Sequence, residues 1–321
     1  MSSVATTTAV PRLPHTGKVT QLRVCLSEWT KLRSVRSTRW SLAAAVVFTI
    51  GIAALACAVV SHHWPHMSAA DRADFHPLEV NLAGVQLAQL AIGVLGVLVI
   101  TAEYSTGMIR ASMTAVPRRL PVLWAKAIVY GVVTLALTIP ATLIAFVVGE
   151  SIFKGRHINI AFSHPGVARA VIGAALYLTV VGLFGLGLGA IVRNTAGGIA
   201  TFAGIMFVLP PLMNVLPTSW NNAASPYLPL AAGQAIMSIT SGNHLRPWVG
   251  FALLCAYAAA ALAIASILLV RRDTEPGIPV TSACLWCLWP AGAATRARPR
   301  GRQGRGGCPR RKRSGCSSRR W

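Results

Sequence analysis

The residues best equipped to act on another molecule gather between Ile100 and Lys126, in the stretch ITAEYSTGMIRASMTAVPRRLPVLWAK. A long apolar run ends at Thr101. A polar segment with Glu103, Arg110, Arg118 and Arg119 follows, and a second apolar run continues past Lys126. A carboxylate and several guanidinium groups on a short connection are recognition chemistry: they make ion pairs and charge-assisted hydrogen bonds to a partner surface or to lipid phosphates. Catalytic chemistry is not readable in the chain. There is no G-x-x-x-x-G-K-[ST] loop, and Gly17-Lys18 lacks both the upstream glycine and the following Ser or Thr. No H-E-x-x-H pair or Ser–His–Asp order stands out. Glu103 and Glu150 are expected at opposite membrane faces and so cannot act together. The chain reads as no enzyme on its own, and as binding no cofactor or metal directly.

The elements that position the recognition stretch follow from composition. Of 321 residues, 54% are hydrophobic and 12% charged, against about 25% charged in soluble domains. The apolar residues come in runs of roughly 20, the length that crosses a hydrocarbon core as a helix. The expected fold is an all-α membrane protein with six transmembrane helices. Their ranges are Ser41–Ser61, Leu82–Thr101, Val122–Val148 (interrupted by Pro140), Val167–Val192, Gly197–Leu216 (with Pro210 and Pro211 near its end) and Trp248–Val270.

Residues 1–20 read as a mobile leader. Over 21–40, Leu22, Cys25, Leu26, Trp29 and Leu32 recur at helical spacing among Arg23, Lys31, Arg33, Arg36 and Arg39. That pattern predicts an amphipathic helix lying in the headgroup region. The six-span domain covers 41–272. After it, 273–321 turns abruptly to Arg, Gly, Pro and Cys with no apolar period, and reads as a disordered tail: either a polybasic segment of the kind that binds anionic lipid or nucleic acid, or, the favoured reading, an out-of-frame read of a GC-rich gene.

Net charge is +22, of which the tail carries +9. With the N-terminus inside, the inner segments carry fourteen Lys and Arg and the outer loops five. This is the positive-inside pattern, with both termini cytoplasmic. Orientation therefore explains the basic balance, and nucleic acid is not an expected partner. The seven cysteines form no disulfide framework. His62, His63, His66 and His76 in the first outer loop match no metal-ligand spacing, whereas Ser68-x-x-Asp71 there has the form of a helix cap. In the last outer loop, Leu230–Ile239 is expected as a short helix or a re-entrant segment.

Within the spans, Gln86 and Gln89 share one helix face. They either line a polar pathway or hydrogen-bond a neighbouring helix. Gly185 and Gly189 form G-x-x-x-G, a packing face within the bundle or between subunits, or else the ordinary glycine richness of membrane helices. No charged residue is expected in mid-span, which argues against a self-powered secondary transporter.

Three stretches, taken in this order, resemble those of the permease subunits of type-2 ABC exporters in their actinobacterial form. Glu28-Trp29-Thr30-Lys31-Leu32-Arg33-Ser34 precedes the first span, Glu103-Tyr104-Ser105-Thr106-Gly107-Met108-Ile109-Arg110 follows the second, and Pro117-Arg118-Arg119 with Lys126 opens the third. The likeness covers about residues 20–272. It implies a permease that pairs with a second copy or a paralogue in the lipid bilayer, and with a separate ABC ATPase subunit through which ATP acts. It also implies that Glu103–Arg110 is a cytoplasmic coupling helix docking on that ATPase, with Ser105 or Thr106 as its N-cap, and that Glu28, Trp29, Lys31, Leu32 and Arg33 on the pre-span helix brace the motion. The competing expectation is a non-transporting membrane scaffold or sensor subunit.

Overall fold

The computed structural model describes residues 20–105, 120–158, 160–215, 217–239 and 245–271. Among these the chain is helical, with no strand. Six helices are long and apolar enough to cross a membrane: Arg36–His66, Gly84–Ser105, Leu120–Lys154, Val167–Val192, Thr195–Met213 and Pro247–Arg271. This is the helix complement of a multi-pass membrane protein.

In chain order, α1 is Gln21–Ser34 and α2 is Arg36–His63. The spacing predicts one helix over 21–40, but the structure has a break. Val35 is extended (φ −78°, ψ 117°), and Trp40 belongs to the first span. The connection after α2 holds α3 (Ala69–Ala73) and α4 (Pro77–Asn81). The Ser68 hydroxyl caps α3 by accepting from the Asp71 amide at 3.1 Å. Next come α5 (Gly84–Ser105) and α6 (Leu120–Lys154). Pro140 does not interrupt α6, which runs through it. A missing N–H is tolerated in a spanning helix where neighbouring groups reorganise around it.

The central element is α7 (Val167–Val192), packed against α5, α6 and α12 (Pro247–Arg271). Its glycines make that position possible. A Cβ on Gly185 would strike the Gly93 backbone of α5, and one on Gly189 would lie 3.0 Å from the Val97 carbonyl. Without a hydrophobic force between helices in lipid, such close backbone approach supplies the packing. G-x-x-x-G is therefore a seam inside one chain.

The fifth span begins as α8 (Thr195–Ala203), capped by the Asn194 side chain accepting from the Gly197 amide at 2.9 Å. It widens to a π turn over Gly204–Val208 and ends as α9 (Leu209–Met213). Pro210 and Pro211 explain the wide turn, since neither can donate to the preceding turn and their rings crowd its carbonyls.

The connection between α9 and α12 contains α10 (Thr218–Ala224) and α11 (Pro229–Gln234). Segment 229–236 enters the bundle: Ala232, Ala235 and Ile236 are buried, and a Cβ on Gly173 of α7 would meet Ile236 at 2.9 Å.

Candidate functional site

The site is built from three helix ends. On α1, Glu28 and Lys31 are three residues apart and share a face. Glu103 sits in the last turn of α5, and Lys126 near the start of α6. Residues 106–119, between these two helices, lie outside the described residues. So do Thr106, Gly107, Met108, Ile109 and Arg110 of the expected coupling helix, together with Pro117, Arg118 and Arg119.

The four charges form a closed ring of alternating sign. Lys126 Nζ donates to Glu28 Oε2 at 2.6 Å and to Glu103 Oε1 at 3.0 Å. Lys31 Nζ donates to Glu28 Oε1 at 2.6 Å and to Glu103 Oε1 at 3.2 Å. Glu28 and Lys126 are each 3% exposed and Glu103 is 8% exposed, so three of the four members are buried. Lys31 is half-buried and marks the open side of the ring.

Taking these groups out of water is costly, and only close pairing offsets the cost. The balance is visible in Glu28. Burial pushes its pKa up, but the adjacent Lys126 and Lys31 outweigh that and hold it below the ordinary carboxylate value. Lys31 is the mirror case: burial pushes its pKa down, and Glu28 and Glu103 carry it above the ordinary lysine value. The Gln21 amide of α1 adds a further tie by donating to the Pro121 carbonyl of α6 at 2.9 Å.

Glu103 thus points inward to two lysines and not out to an aqueous surface. Its neighbours are oriented differently. Tyr104 lies under the Arg193 guanidinium at 5.4 Å, and Arg193 also donates to the Leu268 carbonyl of α12 at 3.3 Å. Arg193 ends α7 in the left-handed region (φ 57°), a conformation costly for a non-glycine residue. Ser105 is the last residue of α5, and its hydroxyl donates back to the Ala102 carbonyl at 3.0 Å. It lies at the end of the described part of that helix, and the N-cap expected at Ser105 or Thr106 concerns a segment outside the described residues.

On α1 the periodic apolar residues Leu22, Leu26 and Trp29 face outward. The bundle-facing side is Val24 and Glu28, and Arg33 is exposed. Leu32 lines a cavity of about 500 Å³ beneath the bend between α1 and α2, beside the charge ring.

A second polar cluster sits where α5 and α7 meet α11. Gln89 Nε2 donates to Gln86 Oε1 at 3.1 Å, Gln234 Nε2 donates to the same oxygen at 3.0 Å, and the Tyr177 hydroxyl donates to Gln89 Oε1. Gln86 and Gln89 therefore bond across helices, with Gln89 fully buried.

In the sequence Glu28, Lys31, Glu103 and Lys126 stand out singly, and nothing there joins them into a ring. Tyr177 and Gln234 do not stand out at all. One signal does exist: acidic residues are rare in these segments, and Glu28 and Glu103 each lie at the edge of an apolar run, where an unpaired charge would be expensive.

No protein-family model matches the chain, and a search of curated proteins finds no match.

Proposed function

We propose that the protein is the membrane-spanning permease subunit of an ATP-driven ABC exporter in the cell membrane, with both termini cytoplasmic. A separate ATPase would hydrolyse ATP and dock on the connection between α5 and α6. A second copy or paralogue would complete the transport path.

The observation that carries this reading is the charge ring. It fastens α1, α5 and α6 together where residues 106–119 leave one span and return to the next. A displacement of that connection is therefore delivered to two spans and a surface helix at once, because buried ion pairs of this kind hold one geometry. The α5–α7 glycine seam extends α5 into the middle of the bundle, so motion received at its end reaches the centre. Fourteen inner against five outer basic residues support the orientation. In this reading Glu103 links the connection to the bundle, and the ATPase-facing contact falls to Thr106–Arg110.

The test is co-purification in detergent, followed by reconstitution in vesicles. An ATPase that stays bound, and whose hydrolysis drives loss of an amphipathic dye from the vesicles, is the expected result. A chain that purifies without any ATPase, and adds nothing to that of candidate partners, would instead be a membrane scaffold.

A further inference from the structure

The cavity beneath the α1–α2 bend is not needed by the ring or by the proposed coupling. Its walls include Leu32, Val35, Leu95, Leu98, Val99 and Ala102, with the Ser34, Ser37 and Thr38 side chains and the charge ring at one end. At about 500 Å³ it is within the roughly 300–1,000 Å³ range of small-molecule sites. From Leu95 to Ala102 it follows α5 for about 10 Å at the helical rise of ~1.5 Å per residue. The slot thus runs along a membrane span, the direction in which acyl chains lie.

The charge that flanks the lining residues in sequence is one-sided. Arg33, Arg36 and Arg39 are exposed and adjoin the lining residues in sequence. No acidic residue occurs between Glu28 and Asp71. Glu28 itself is consumed by two lysines inside the ring. The ring is charge-balanced, so the local excess is the three arginines. Leu22, Leu26 and Trp29 are exposed and point away from the bundle, as an apolar stripe lying against lipid would.

We propose that this cavity binds one acyl chain of an anionic phospholipid drawn from the adjoining leaflet, with its phosphate held by the arginines of the bend. An apolar slot beside a cationic rim selects a molecule with an apolar tail and an anionic head. A neutral amphiphile would leave the arginines unused, and a soluble anion would leave the slot unfilled. The proposal rests on the membrane-spanning fold and not on the exporter reading.

The experiment uses the full chain in phosphatidylcholine vesicles containing a photoactivatable phosphatidylglycerol, with labelled peptides mapped by mass spectrometry. The expected label falls on 32–38 and 95–103, is displaced by unlabelled phosphatidylglycerol, and is not displaced by added phosphatidylcholine. Leu98→Trp, which fills the slot, should lower that label about tenfold while helix content and unfolding temperature stay at the wild-type values. Ala102→Phe fills it from a different position and serves if Leu98→Trp does not fold. Replacing Arg33, Arg36 and Arg39 by Gln together should remove the preference for phosphatidylglycerol and leave residual labelling. Label spread evenly over Val47, Leu55 and other exposed apolar residues would overturn the proposal. So would label that survives both filling variants, equal competition by phosphatidylcholine, or a protein–protein cross-link between two copies through the cavity residues.

Discussion

Lys126 donates to the Glu28 carboxylate at 2.6 Å although 98 residues separate them in the chain. The bond makes the surface helix α1 part of the bundle and not a tethered leader. It also sets a specific energetic expectation. Lys126→Met leaves two carboxylates sharing Lys31 in a site with little solvent. Breaking a buried pair in this way costs on the order of 3–5 kcal/mol, read as a fall in thermal unfolding temperature in detergent. Glu103→Gln alone leaves two lysines on Glu28 and is also destabilising. The double variant restores neutrality and should be more stable than Lys126→Met alone. Additive losses would mean that the ring members act independently.

The ring also fixes the pH range over which it contributes. Glu28 is held below the ordinary carboxylate value of 4.5, so its stabilisation is present above that value and is lost as pH falls through the still lower folded pKa. Lys31 is held above the ordinary lysine value of 10.5, so its share is present below that value and is lost as pH rises through the higher folded pKa. The unfolding temperature should therefore be flat with respect to this ring between about pH 5 and 10. Glu28→Gln should show a shallower acid limb than wild type. Identical acid limbs would show that other carboxylates govern acid unfolding.

Gly185 meets the Gly93 backbone with no room for a methyl group. Gly185→Val must push α5 and α7 apart, at a cost of about 1–3 kcal/mol for overpacking. The prediction is a lower unfolding temperature with unchanged oligomeric state by light scattering in detergent. A change of assembly at constant stability would place the glycine face between subunits.

Coupling and folding can be separated through the same residues. Glu103→Gln with Lys126→Met keeps the charge balance but removes the ion pair between α5 and α6. If the protein is the exporter subunit proposed above, this variant, assembled with its ATPase, should insert normally, retain ATP hydrolysis and lose most export. Arg110→Ala should have the same outcome through the docking surface, with no effect on unfolding temperature. Normal export in both would remove the coupling role.

Much of the architecture was legible in one dimension. Span membership is additive over some twenty residues, so the apolar runs place all six helices, with limits up to six residues from those observed. The Ser68 cap was readable because it joins residues three apart. The break at Val35 was not, since the apolar spacing of α1 continues without a proline or glycine to mark it. Periodicity identified the apolar stripe of α1, and Leu22, Leu26 and Trp29 on it are exposed; it did not show that the bundle takes the side bearing Val24 and Glu28. A membrane helix has two apolar surroundings, and hydropathy does not distinguish them.

By itself the sequence determined a multi-span helical protein, a basic surface helix and a polar connection between the second and third spans. These follow from local composition and from the cost of placing polar groups in hydrocarbon. Only the tertiary structure decided that Glu28, Lys31, Glu103 and Lys126 form one ring, that Tyr177 meets Gln89, and that Gly185 faces Gly93. The physical reason is that each of these bonds or contacts depends on the relative rotation of helices far apart in the chain. That rotation is set by side-chain packing among all of them, and no local window of residues contains it.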